Sequence, residues 1–156
     1  MDGLIHRIPD IASYLNIFGT GILAGVLWMS ALGLGPASAA LGPAQQTILR
    51  QQLIKRLRVL MAPFMLLPIV TSGTLWAFNG KPGHRAAGTA EFISSVAAVA
   101  VTIFVNVPLN WRFADWSAKN RPADWQMYVR QWDRANSIRF VLALAAFACA
   151  LFIGGK

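Results

Sequence analysis

The chain has 156 residues, of which 56% are hydrophobic and only 13% are charged. One small core cannot hide that much apolar surface, so the composition argues against a soluble protein and predicts a single integral membrane domain over residues 1–156. The formal net charge of +8 does not indicate nucleic acid as a partner, because the sequence contains no basic stripe with regularly interleaved aromatic residues and no recognisable nucleic-acid-binding module.

Four apolar runs predict four transmembrane helices, spanning about residues 14–34, 59–78, 92–110 and 136–154. Residues 37–39 imitate a signal-peptide cleavage site, but only Arg7 supplies positive charge before the first run, which is therefore expected to be retained as a helix. Pro63 and Pro68 should kink the second helix, with nearby Ser and Thr hydroxyls satisfying the freed backbone groups. Cys149 lies in the fourth run and is expected to be a packing residue.

The last helix is expected to extend beyond the membrane. Pro122 followed by Asp124 is typical of a helix start, and one helix over 123–154 would be roughly 48 Å long at 1.5 Å per residue. A hydrocarbon core is about 30 Å thick, so the first turns should project from it or lie in the interface. The sequence therefore predicts an all-α fold, a four-transmembrane-helix bundle with a cytoplasmic extension or an interfacial helix before the last span.

Basic residues predict the orientation of this bundle. Ten Lys and Arg residues lie in the segments 42–58 and 111–139, both expected to be long loops on one side of the membrane. The four on the other side are Arg7, Lys81, Arg85 and Lys156. Because positive charge is retained in the cytoplasm, we expect both long loops to be cytoplasmic and both termini to lie outside an inner (plasma) membrane.

Polar side chains cluster where the third apolar run ends and the fourth begins. Asn106 and Asn110 are four residues apart and would share one helix face, while Pro108 between them frees a backbone carbonyl. Asn136 and Arg139 lie at the start of the fourth run. Such groups are costly in apolar surroundings unless they find partners, so we expect them to partner each other. The aromatic residues that precede them on the same helix face are Trp125, Tyr128 and Trp132.

The motif N-V-P-L-N at 106–110, with the spaced residues W-x-x-Y at 125–128 and W-x-x-x-N-x-x-R at 132–139, resembles the signature of the anthrone oxygenase-like family of small four-helix membrane proteins. The motifs cover the last third of the chain, and the first three segments resemble the family only in topology. The resemblance implies a monooxygenase-type oxidation of an anthrone to an anthraquinone with molecular oxygen and with no metal, flavin or haem cofactor. Many relatives have W-N-H-V-R where this chain has A-N-S-I-R at 135–139, so their Trp and His are replaced here by Ala135 and Ser137. If that His serves as a base in the relatives, this chain has lost it or does something different.

The predicted chemistry is oxygenation of a hydrophobic aromatic substrate of the anthrone or quinone type. Such a substrate must become an electron-rich anion, which requires a base and donors that hold the anionic oxygen. Asp133 lies one residue off the helix face that carries Trp125, Tyr128 and Trp132, and it is a poor candidate for the base. The candidate catalytic residues are Arg139, Asn136, Asn106 and Asn110, and the candidate substrate-binding residues are Trp125, Tyr128 and Trp132.

Other functions remain open from the sequence. Asn and Arg at a helix end can simply tie helices together, and aromatic residues at a membrane boundary form an ordinary belt against lipid. The main alternative is therefore a non-catalytic small-ligand-binding protein or an accessory subunit, in a homo-oligomer or a larger membrane complex. A small transporter is less favoured, because the four helices show no internal repeat. A metal site is not expected, since His6 and His84 are the only histidines.

Overall fold

The structure, a computed structural model, describes residues 8–78, 80–117 and 120–155. Every regular element within these ranges is helical. The α-helices are α1 (Ile8–Trp28), α2 (Gly35–Ala39), α3 (Pro43–Phe78), α4 (Pro82–Val101), α5 (Val107–Ala114) and α6 (Trp125–Gly154). Two π-helical segments join them: the first, Met29–Leu34, connects α1 to α2, and the second, Thr102–Asn106, connects α4 to α5.

These elements form four long rods that pack side by side as a bundle. Helix α6 packs most extensively against α4 and α1, while α3 fills the remaining corner between α1 and α4. Four stretches among the described residues are long and apolar enough to cross a membrane: Ile8–Ala39, Pro43–Phe78, Pro82–Ala114 and Trp125–Gly154. The prediction of an all-α bundle with four transmembrane helices is confirmed.

Helix α3 differs from its predicted form, because the segment 42–58 is not a loop. It belongs to the 36-residue helix α3, which begins at Pro43 and ends at Phe78. Pro suits a first helical position, and the Leu, Gln, Lys and Arg residues that follow are all good helix formers, although the last three are polar or charged. The helix also continues through Pro63 and Pro68.

The hydroxyl groups near these prolines do not bond to the carbonyls that the prolines free. The Thr71 hydroxyl lies 2.8 Å from the Leu67 carbonyl and 2.6 Å from Asn16 Oδ1, and Thr74 donates to the Val70 carbonyl at 2.9 Å. A proline at position 68 removes the bond to the carbonyl four residues earlier, at position 64. The hydroxyls instead bond back within their own turns, as Ser and Thr often do in helices.

Each π-helical segment ends two residues before a proline. The Gly35 N–H bonds to the Ser30 carbonyl, and the Val107 N–H bonds to the Thr102 carbonyl, which is the five-residue spacing of a π-helix. Pro36 and Pro108 come next and have no N–H, so the usual four-residue bond is lost at both places. The widened turns therefore have a local cause in the sequence.

The interior of the bundle is built from small and branched side chains. Leu23, Ala24 and Leu27 of α1 pack against Ala143 of α6, with Met65, Phe140 and Phe147 around them. Of the G-x-x-x-G pair at positions 21 and 25, only Gly21 meets another helix, since a Cβ there would lie 3.2 Å from the Phe147 ring. Gly25 faces open space.

Enlarging Ala143 should destabilise the bundle. This alanine is 2% exposed between α1 and α6, so Ala143→Leu should lower the free energy of unfolding by about 1–3 kcal/mol through overpacking. Thermal unfolding of the purified protein in detergent measures the effect. Ala145→Leu, on the exposed face of the same helix, is the matched control and should leave the melting temperature nearly unchanged; equal effects would contradict the packing described here.

Candidate functional site

The carboxamide of Asn136 in α6 joins three parts of the chain. Its Nδ2 donates to the Ser30 hydroxyl at 3.3 Å. Its Oδ1 accepts from Asn106 Nδ2 at 3.3 Å and from the Arg139 guanidinium at 3.1 Å. Ser30 and Asn106 each lie in one of the two π-helical segments, so Asn136 is the point at which both widened turns are tied to α6. Asn106 and Asn136 are buried.

The positive charge of the Arg139 guanidinium group is not balanced by a negatively charged partner among the described residues. Besides the bond to Asn136, it donates to Met65 Sδ at 3.8 Å, and its Nε has no hydrogen-bond partner. Asn106 Oδ1 is also without a partner. No carboxylate pairs with Arg139 among the residues that the structure describes. One donor and one acceptor therefore remain available in this network, which we call the Asn136 network (Ser30, Met65, Asn106, Asn136 and Arg139).

Asn110 lies outside the Asn136 network and bonds to Trp132 instead. The Trp132 Nε1 donates to Asn110 Oδ1 at 3.0 Å. The Trp132 ring also lies edge-on to Phe113, with 6.5 Å between ring centroids, and carries the Arg50 guanidinium at 4.8 Å from its centre. The structure thus groups Asn106, Asn136 and Arg139 together and places Asn110 with Trp132, in the next layer along α6.

Trp125 and Tyr128 form a third layer, nearer the start of α6. Tyr128 lies edge-on to Trp116 at 6.0 Å and beneath Arg112 at 4.9 Å. Trp125 lies beneath Arg121 at 4.7 Å. The aromatic residues on this face of α6 are therefore covered by side chains of α5 and of the segment that follows it, and they do not form one exposed aromatic surface.

The sequence analysis did not identify the ion pair between Arg50 and Asp133. Arg50 donates through both terminal nitrogens to the two Asp133 oxygens, at 3.1 and 3.2 Å, and to the Ser38 hydroxyl at 3.3 Å. Arg50 is 4% exposed, whereas Asp133 is 35% exposed. The pair joins α2, α3 and α6. Because the partners lie far apart in the chain, no local spacing could have revealed it.

A narrow crevice beside this ion pair extends to the layer of Trp125 and Tyr128. Its lining includes Arg50, Phe113, Trp116 and Trp125, and it leaves no room for a water-sized molecule. Phe113 and Trp116 were also not identified from the sequence, although their spacing of three residues places them on one side of the chain after N-V-P-L-N. No cluster of His, Cys, Asp or Glu suited to a metal ion occurs in the described ranges.

Comparison with known proteins supplies the family. A family model described as anthrone oxygenase matches residues 51–149, well over half of the chain. The chain belongs to the anthrone oxygenase family. No match was found among curated proteins or solved structures. The matched region includes most of α3, all of α4 and most of α6, so the similarity is wider than the motifs of the last third.

The family match over residues 51–149 covers only part of the candidate site. Asn106, Asn136 and Arg139 lie within the region that matches the anthrone oxygenase model, as do Asn110 and the three aromatic residues of α6. Ser30 and Arg50 lie before it. The first π-helical segment and its bond to Asn136 are thus a feature that the family match does not cover.

Removing the Asp133 carboxylate should destabilise the protein more than removing the whole ion pair. Asp133→Ala leaves the buried Arg50 charge without its partner and should lower the free energy of unfolding by about 2 kcal/mol. The double substitution Arg50→Met with Asp133→Ala removes both charges and should recover most of that loss. Thermal unfolding compares the variants; a double variant less stable than the single one would show that the pair itself is stabilising.

Proposed function

We propose that this member of the anthrone oxygenase family is a membrane-embedded, cofactor-independent oxygenase-like enzyme that acts on a hydrophobic aromatic substrate of the anthrone or quinone type. Family membership supports the reaction class. One observation on the chain itself carries the proposal: Arg139 is a permanent cation without a carboxylate partner among the described residues, and it lies in α6, a helix long and apolar enough to cross a membrane.

Comparison of two arginines explains why this observation points to a substrate. Arg50 is neutralised by a bidentate bond to Asp133, as expected of a buried arginine with a structural role. Arg139 has only a neutral amide and a thioether as partners. An unneutralised cation in apolar surroundings is costly, and it stabilises an anion that binds next to it. An enolate formed from an anthrone is such an anion.

The proposed reaction consumes one molecule of oxygen for each anthrone. One oxygen atom becomes the new carbonyl oxygen at the substrate methylene, and the other leaves as water with the two methylene hydrogens. Arg139 would hold the enolate oxygen, while Asn136, Asn106 and Asn110 would orient the substrate and the anionic oxygen. Trp132, in the layer next to the Asn136 network, would contact its flat rings, whereas Trp125 and Tyr128 lie one layer further away and are covered by other side chains. Asp133 is occupied by Arg50, so it is not proposed as the base.

Loss of the Arg139 charge should abolish turnover without unfolding the protein. In Arg139→Ala we expect the oxygen-dependent conversion of anthrone to anthraquinone to fall at least 100-fold, as on loss of an oxyanion donor. The native chain, reconstituted in lipid nanodiscs, is compared with the variant by chromatography of the product. Arg134→Ala, on an exposed position of the same helix, is the matched control and should retain activity.

The same variants separate catalysis from a purely structural or ligand-binding role. If Arg139→Ala unfolds, the Asn136 network is a structural tie between helices. If the native chain shows no turnover, small molecules extracted from it decide the class. A flat aromatic species held by the native chain and lost from Arg139→Ala would make this protein a non-catalytic binder, whereas bulk lipid alone would favour an accessory subunit in a larger membrane complex.

We further propose that the protein lies in the plasma (inner) membrane with the segment 115–124 in the cytoplasm and both termini outside. The distribution of Lys and Arg supports this orientation, because ten of the fourteen lie in 42–58 and 111–139. The cytoplasmic side would then hold the start of α3, the Arg50–Asp133 pair and the layer of Trp125 and Tyr128.

Cysteine labelling in intact cells tests the orientation. In a Cys149→Ala background, Gly80→Cys should react with a membrane-impermeant maleimide, whereas Ala123→Cys should react only after lysis. Both positions are exposed and lie in the connections at opposite ends of the bundle. The reverse labelling pattern would place the aromatic layer outside the cell.

A further inference from the structure

A groove separates the last turns of α3 from the first turns of α4. Its volume is about 340 Å³, which lies within the range of roughly 300–1,000 Å³ that is usual for ligand sites. The residues that line it are Ser72, Gly73 and Trp76 of α3 and Gly88, Thr89 and Phe92 of α4. They span four positions on each helix, so the lined part extends roughly 6 Å along the rods at 1.5 Å per residue.

This groove opens to the surroundings of the bundle. Trp76 is 49% exposed and Phe92 is 42% exposed, and Gly73 and Thr89 are exposed as well. Both rods that form the groove are long and apolar enough to cross a membrane. The outer surface of such rods contacts lipid chains in a bilayer, so lipid has direct access to the groove.

Two glycines keep the groove open. A Cβ at Gly73 would meet nothing within 4 Å, and a Cβ at Gly88 would come no closer than 3.8 Å to its nearest neighbour, Trp76. The space between the two rods is therefore not filled by side chains at these positions. A segment of an acyl chain is narrow and apolar, so it can lie there and bury its own surface together with that of Trp76 and Phe92.

A cation lies beside this groove. The Arg85 guanidinium is 5.4 Å from the centre of the Trp76 ring, which forms one wall of the groove. Arg85 precedes Gly88 and Thr89 by three and four residues, so it shares their helix face one turn nearer the start of α4. Because α4 begins at Pro82, the guanidinium is held near the end of the rod, where lipid headgroups lie.

The charges at this end of the two rods favour an anionic headgroup. The exposed charged residues of 80–92 are Lys81 and Arg85, both cations, and 70–78 carries no charge. A guanidinium group has five N–H donors, so it can bind phosphate oxygens while it keeps contacts within the protein. A cation above an apolar groove matches a molecule with a phosphate above an acyl chain.

We propose that the groove and Arg85 form a binding site for an anionic phospholipid, with one acyl chain in the groove and the phosphate at Arg85. Trp76 joins the two parts of the site, because its ring lines the groove and also carries the guanidinium. Lys81 adds attraction for a headgroup with net negative charge. The lipid is bound and not chemically changed, so this site is independent of the reaction proposed at Arg139.

Competition between two phospholipids with the same acyl chains tests the role of charge. The full chain, stripped of lipid in detergent, is titrated with dioleoylphosphatidylglycerol or dioleoylphosphatidylcholine, and bound lipid is counted by native mass spectrometry. The first phosphatidylglycerol should bind about tenfold more tightly than the first phosphatidylcholine. Arg85→Gln should remove most of this preference. Arg134→Gln, which removes an exposed cation from the first half of α6, is the matched control and should keep it.

A pair of glycine substitutions tests the groove separately from the charge. Gly73→Leu places a side chain in the groove and should weaken binding of both lipids about tenfold. Gly25→Leu is the matched control, because Gly25 is also exposed with nothing within 4 Å of its Cβ position, and it should bind both lipids as the native chain does. Equal affinity of the native chain for the two lipids, equal losses in the two arginine variants, or unchanged binding in Gly73→Leu would overturn the proposal.

Discussion

The hydrogen bonds of Asn136 constrain how the helices of this bundle meet. A carboxamide buried among apolar side chains must satisfy its donor and acceptor inside the protein, and Asn136 does so with Ser30, Asn106 and Arg139. Two of these partners lie in π-helical segments, each followed by a proline that interrupts ordinary α-helical bonding. The widened turns therefore serve to present Ser30 and Asn106 to α6, and they are held in register by a single side chain. A substitution at Asn136 would release three elements at once.

Compensation of charge distinguishes Arg50 from Arg139 in this fold. Arg50 is buried, but Asp133 neutralises it, so the pair ties α3 to α6 with little residual field. Arg139 and Glu91 lie in different parts of the bundle, and neither forms an ion pair with a described residue.

Much of the fold followed from composition and spacing, because a bilayer restricts a chain of this kind to helices. The number of spans, the long last helix and the cluster of Asn106 with Asn136 and Arg139 were all predictable. The helical form of 42–58 was not, since basic residues were taken as a sign of a loop, whereas a helix that projects from the membrane tolerates them. Partners distant in the chain, such as Arg50 with Asp133 and Ser30 with Asn136, leave no periodic signal. Glu91 directly precedes the predicted third span, 92–110, and only the structure shows that it is fully buried.

The level of Glu91 within the bundle also limits what can reach it. Its helix begins at Pro82, so the carboxyl group lies roughly 13 Å along α4 from that end at 1.5 Å per residue. The rod Pro82–Ala114 is longer than a hydrocarbon core about 30 Å thick, so in a rod centred in the membrane Glu91 lies nearer the surface of the core than its middle. Acyl chains do reach this depth, but they offer no hydrogen-bonding group to a carboxyl. A hydrogen-bonding partner for Glu91 therefore comes from the protein or from a polar group near the surface of the core.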